Sequence, residues 1–209
     1  MTTLPDTLPL FPLGGAILLP GEILPLNIFE PRYLNMIDDA LSGHKVIGIV
    51  QTRDGGTPDR PALEAVGSAG LITEHAETED GRYLISLQGV SRFEIRQELD
   101  EKTPYRTASV DWSVFEADRR APEALINADR ERFTALLRGW FANEGIKCDW
   151  STVEAAPIVR VIDQMAMVAP FAAKEKQALL EAGDIRLRYD LMTGLLERKL
   201  ADGAGGTGN

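Results

Sequence analysis

The sequence predicts an α+β protein whose two kinds of structure are segregated along the chain. Three observations predict it. Up to about residue 117 the apolar residues alternate or form short blocks, as in Val46-Ile47-Gly48-Ile49-Val50 and in Ser91 to Glu98. Beyond that point they recur at helical spacing, as in Leu125, Phe133, Leu136, Leu137, Trp140 and Phe141. Between the two lies Glu116 to Pro122, a polar run that ends in Pro and reads as a linker. The expected division is a β-rich lobe over 1–117, a helical lobe over 118–200 and a disordered Gly-rich tail over 201–209.

The N-terminal strands are set by proline. Leu8-Pro9-Leu10-Phe11-Pro12-Leu13 and Ile23-Leu24-Pro25-Leu26 are strand-like in content, yet a Pro has no N–H for a ladder. Such strands belong at edges, at bulges or in short pieces. Pro31 to Gly43 reads as a helix, with Pro31 at its first position, Leu34, Ile37 and Leu41 on one face, and Gly43 as a left-handed stop. Lys45 to Gln51 is a continuous apolar strand, and Asp54 to Pro61 a loop. Leu63 to Thr73 is a strand that Gly67 and Gly70 bend, and Asp80-Gly81 a two-residue hairpin turn. Arg82 to Gln88 places Tyr83, Ile85 and Leu87 on one face, and Gly89 bends the chain. Ser91 to Glu98 then turns Phe93 and Ile95 inward and Arg92, Glu94, Arg96 and Glu98 outward. Tyr105 to Trp112 is the last strand.

In the second half, Pro122 to Asn143 has helical period and Gly145 ends it. Ser151-Thr152-Val153-Glu154 has the form of a capping box. Pro157 either kinks that helix or starts a new one, which Pro170 stops. Phe171 to Ala182 is a short helix, and Asp184 caps the last one.

The 209 residues, 44% apolar, suffice for an ordinary packed core. No apolar run approaches the roughly 20 residues of a membrane span, and the early prolines spoil a signal peptide. With Cys148 as the lone thiol, the expected setting is the cytoplasm, with no membrane partner. The net charge is −10, and residues 1–117 hold 18 Asp and Glu against 9 Lys and Arg. Phosphate backbones are repelled by such a surface, so nucleic acid is excluded as a partner. The acidity serves solubility, or it attracts basic peptides.

Several segments resemble, in order, the substrate-binding N-terminal domain of Lon proteases. They are Leu8 to Leu13, Pro20-Gly21-Glu22-Ile23-Leu24-Pro25-Leu26, Phe29 to Tyr33, Ile47 to Val50, Val66 to Ile72, Gly89 to Ile95, Lys176 to Glu181 and Asp184 to Arg188. The resemblance covers roughly residues 8–200. It implies a PUA-like β pseudo-barrel with one helix, followed by a helical subdomain. It also implies recognition of peptide segments or partly unfolded proteins. The sequence has no Gly-x-x-x-x-Gly-Lys-[Ser/Thr] phosphate cradle, and it ends before an ATPase or a Ser–Lys protease module begins. Non-catalytic binding is therefore expected, without cofactors.

No reaction centre stands out. His44, His75 and Cys148 are too few and too scattered for a zinc site. Cys148 has no histidine near it in sequence, and Glu74, Glu77, Glu79 and Asp80 lack the spacing of a calcium loop. The candidate peptide-binding residues are Phe29, Glu30, Arg32, Tyr33 and Trp112. Glu30 and Arg32 flank Pro31 at a helix start, where an ion pair holding the helix is the plainer role. Among the aromatics of the β half, Tyr33 and Trp112 are the expected groove-lining pair. Two other readings stay open: an adaptor that docks a folded partner such as a protease or chaperone, and a hydrolase with an unrecognised site.

Overall fold

A computed structural model describes residues 4–100, 102–120 and 128–205. The chain divides into two compact units, residues 1–121 and 122–209.

The first unit contains β1 (Thr7–Pro12), β2 (Ile23–Ile28), α1 (Pro31–Ser42), β3 (Val46–Val50), β4 (Thr52–Thr57), β5 (Arg60–Leu63), β6 (Val66–Glu77), β7 (Tyr83–Leu99) and β8 (Arg106–Asp111). The main sheet has the order β2-β7-β6-β3-β1-β8, and β8 returns to pair with β7. Five strands therefore close into a barrel, and β2 hangs outside it on the first half of β7. The interior holds Leu8, Leu10, Val50, Phe93, Val110 and Trp112. β1 lies inside the ring despite its prolines, because its pairings are short and staggered. It meets β8 over Thr7 to Leu10 and β3 only over Leu10 to Pro12. The Val110 N–H donates to the Asp6 carbonyl, which makes Pro9 opposite Thr107 a non-hydrogen-bonded pair. The missing N–H of Pro9 thus points away from β8, at a place where β3 has not yet joined.

Helix α1 buries Tyr33, Met36, Ile37 and Ala40, one stripe at helical spacing. Its end differs from expectation. Gly43 is not left-handed (φ −115°), and the positive φ falls on Lys45 (59°). The expected loop at 54–61 is the β4–β5 hairpin, because Gly55 and Gly56 take positive φ and make a bulge that lets the two short strands pair. Arg82 to Glu98 is not two strands but the single β7, with Val90 left unpaired where Gly70 meets Gly89. The turn before it spans Thr78 to Arg82, with Gly81 left-handed, instead of two residues.

The expected linker is partly structure. Ser113–Arg119 forms a 3-10 helix, and Asp118 makes a buried, forked ion pair with Arg92 at 2.8–2.9 Å. Strand alternation had turned Arg92 outward. It does point out of the barrel, but the 3-10 helix covers it, and its guanidinium lies 4.3 Å from the Phe115 ring. Residues 118–119 therefore belong with the strands.

The second unit contains α2 (Arg130–Glu144), α3 (Trp150–Ala155), α4 (Ile158–Val168), α5 (Ala173–Glu181) and α6 (Ile185–Gly205). The expected start at Pro122 lies outside the described residues. The described α2 is capped by Asp129 and stopped by left-handed Gly145. The cap of α3 is Asp149, which accepts from the backbone of Ser151, rather than Ser151 itself. Hydrogen bonds from the hydroxyls and backbone amides of Ser151 and Thr152 hold its carboxyl down at about 2. Pro157 separates α3 from α4, so a new helix starts there. Trp140 stacks on Phe171 at 4.9 Å. α6 runs through 201–205, a stretch expected to be disordered. Small residues let it stay close to α2: a Cβ on Gly139 would lie 3.1 Å from Leu200, and one on Gly203 2.9 Å from Asn143.

Removing one partner of the Arg92–Asp118 pair leaves a buried charge. Asp118→Ala should cost about 3 kcal/mol of stability in denaturant unfolding, and the double change Arg92→Met, Asp118→Leu should cost less than Asp118→Ala alone.

Candidate functional site

The five predicted residues separate on burial. Trp112 is 9% exposed, packs against Phe93 at 5.7 Å and donates from Nε1 to the Pro5 carbonyl. It belongs to the barrel core. Tyr33 is 6% exposed and packs against Phe11, with the Arg32 guanidinium 4.6 Å from its ring. Neither of the two expected groove aromatics offers a free face. Glu30 and Arg32 pair with each other at 2.8 Å at the start of α1. Phe29 is different: it is 63% exposed, with the Arg82 guanidinium 5.9 Å from its ring.

Phe29 is continuous with a surface that the strands build. Beyond Gly89, β2, the first half of β7 and the second half of β6 form a three-stranded ribbon that leaves the barrel. Its register lines up Pro25 with Ser86 and Glu74, and Asn27 with Leu84 and Ala76. Residues directly opposite share a face. The intervening residues Tyr83, Ile85 and Leu87 turn to the other side, where Tyr83 donates to Asp38 of α1. The outer face thus carries Ile23, Pro25, Leu84 and Ala76 in a row, and Phe29 beside Arg82 extends it. Ile23 is 61% exposed and Leu84 47%. A groove of about 450 Å³ lies along this face, lined by Pro25, Asn27, Glu74, Ala76, Leu84 and Ser86.

Sequence reading overlooked Ile23, Pro25, Ala76 and Leu84. One signal was available. Leu84 is an apolar residue out of phase with Tyr83, Ile85 and Leu87, so it had to face away from whatever buried them.

The backbone at the two ribbon edges follows from the hydrogen-bond alternation. Gly89 N–H donates to Glu22 O, and Thr78 N–H to Arg82 O. The outward-facing backbone groups are therefore those of Ile23, Pro25 and Asn27 on β2, and of His75 and Glu77 on β6. Two cations near this end are engaged: Arg82 pairs with Asp80 and Arg32 with Glu30, each at 2.8 Å. Glu74 accepts from the Ser86 hydroxyl at 2.7 Å. Among the described residues, no group of three or more His, Cys, Asp and Glu converges to hold a metal. The surface offers apolar contact, backbone edges and negative charge, which are means of holding a chain.

A family model described as the ATP-dependent protease La (LON) substrate-binding domain matches residues 7–198. Lon protease of Parabacteroides distasonis is 31% identical over 201 residues, which is 93% of this chain and 24% of that protein. Lon protease 2 of Myxococcus xanthus is 30% identical over 206 residues, covering 94% of this chain and 24% of that one. The chain thus spans about a quarter of the length of these relatives. A Lon N-terminal domain protein from Xanthomonas campestris superposes with a TM-score of 0.64 at 24% identity, over 89% of this chain and 96% of that one. The N-terminal domain of Mycobacterium avium complex Lon protease does so at 0.61 and 18%, over 94% and 98%. These two likenesses show the fold.

Two tyrosines should report on the packing around the ribbon. Burial pushes the Tyr33 phenol above its ordinary 10.0, partly opposed by Arg32, and the hydrogen bond to Asp38 raises Tyr83. Since the neutral phenol is the favoured form, whatever these groups add to stability is complete below pH 10.0 and is lost as pH climbs through the raised values. In a spectrophotometric titration, Tyr33→Phe should remove one late-ionising tyrosine, and Asp38→Ala should bring Tyr83 back toward its ordinary range.

Proposed function

This chain belongs to the LON substrate-binding domain family, and from that premise we propose that its β unit is a non-catalytic recognition module for exposed peptide segments and partly unfolded proteins. The observation that carries this reading is the row of exposed apolar side chains from Phe29 through Leu84 and Pro25 to Ile23, set along a groove on one face of the ribbon. Folded proteins bury such groups, so a surface that meets unfolded chains has apolar area to offer in return. An extended segment would lie along the groove, its main chain drawn to a ribbon edge and its alternate side chains pressed on the apolar row. Glu30 and Arg32 neutralise each other beside Phe29 and shape the end of that row. Tyr33 and Trp112 stay in the core, packed on Phe11 and Phe93.

Binding of a fluorescently labelled polypeptide, kept unfolded by reduction and alkylation of its cysteines, tests the reading by anisotropy. The double change Ile23→Glu, Leu84→Glu should weaken binding by about tenfold or more, since each buried apolar side chain contributes about 1.5–3 kcal/mol. Trp112→Phe should leave the affinity of the folded protein as it is. Capture of one folded partner, with indifference to the unfolded chain, would favour the adaptor reading instead.

A further inference from the structure

Resting on the reading that the β unit takes up polypeptide, we propose that the free edge of β6 accepts an extended segment bearing Lys or Arg opposite Glu74 and Glu77. β3 accompanies β6 only as far as Leu71, with a last bond from the Ile72 N–H to the Lys45 carbonyl. From Thr73 to Glu77 the strand pairs with β7 alone, and all five residues are exposed. The backbone groups of His75 and Glu77 point outward, each with both a donor and an acceptor.

The opposite edge of the ribbon is the poorer acceptor. On β2 the outward positions are Ile23, Pro25 and Asn27, and Pro25 has no N–H to give. An added strand would lose a bond at the centre of that edge. On β6 no proline interrupts.

Charge then selects the occupant. Glu74 lies on the outer face beside the groove, Glu77 on the other face, and Glu79 in the following turn. None of the three has a cationic partner among the described residues, and the nearby Arg82 is held by Asp80 and rests against Phe29. Opposite charges directly across a ladder attract and like charges repel. A strand added here gains from a basic residue opposite each glutamate. Its residue opposite Ala76 falls next to Leu84, where an apolar side chain extends the exposed row. The pattern is basic at two positions three apart, with an apolar residue between them on the outer face. The open edge supplies the site, and the carboxylates choose what fills it.

Two synthetic peptides with that spacing, identical except for Lys or Glu at the two basic positions, test this by anisotropy at low and high salt. The Lys peptide should bind the full chain about tenfold more tightly than the Glu peptide, with a preference that shrinks as salt rises. The change Glu74→Lys, Glu77→Lys should reverse the order. A Lys peptide N-methylated at the amides that face β6 should lose binding. Equal binding of the two peptides, an unchanged preference after charge reversal, or indifference to N-methylation would each overturn the proposal. The unfolded-polypeptide assay with Leu84→Glu separates the two readings. Loss there without peptide discrimination by the native chain removes the edge assignment and leaves the apolar-face reading. Discrimination that the charge reversal abolishes, with no effect of Leu84→Glu, does the opposite.

Discussion

A methyl group on Gly89 would stand 2.1 Å from the carbonyl oxygen of Leu19, and the first unit depends on that missing methyl. At this point β7 stops being a barrel stave and becomes the middle of a ribbon. Gly21 N–H donates to Gly89 O and Gly89 N–H to Glu22 O, so the same residue also starts β2. The strand is therefore pinned in register where it begins. Register decides which side chains face out, and a slip of one residue would exchange the two faces completely. In the register observed, Leu24, Leu26 and Ile28 share the face of Leu87, Ile85 and Tyr83, and Ile23, Pro25 and Asn27 turn away. The exposed row that Phe29 and Leu84 complete is a consequence of one close approach between two backbones.

What the sequence disclosed follows the range of the interactions involved. The α+β order, α1 from Pro31, the glycine stop at Gly145 and the break at Pro157 all rest on contacts within a few residues. Strand alternation also turned Phe93 inward, where it joins the barrel core. The misjudged elements depend on a distant partner or on local geometry that composition does not reveal. Arg92 alternates outward as a strand residue should, and nothing near it in sequence says that Asp118 will cover it. The 54–61 segment reads as a loop because glycines and prolines dominate it, yet those glycines are what allow β4 and β5 to pair. The capping motif at Ser151 has the right letters two residues too late, since Asp149 is the cap and accepts from the Ser151 backbone.

The candidate site divides along the same line. Aromatic residues are sound candidates for recognition, but composition cannot rank them by burial. Trp112 closes a barrel whose N-terminal wall comes from the start of the chain, and its indole N–H reaches Pro5. Tyr33 lies in the buried stripe of α1. Phe29 stands one residue beyond a strand whose register sends it outward, and only that register distinguishes it from its neighbours. Leu84 was legible in principle, since an apolar residue that breaks an alternation must face something other than the core it flanks.

The ribbon's two edges raise a problem that any protein with an open sheet must meet, since a free edge is a template for another copy of itself. The two edges meet it by different means. On β2 the proline at Pro25 removes the central outward donor, so a second β2 could pair only around a gap. On β6 the backbone is intact, but a second β6 laid against it would bring glutamates within reach of glutamates, and like charges across a ladder oppose pairing. Proline blocks every partner alike, whereas charge blocks only those of the same sign. The edge guarded by carboxylates therefore excludes its own copies and remains open to chains of the other sign, and on that edge protection from aggregation and selection of a ligand are one electrostatic property.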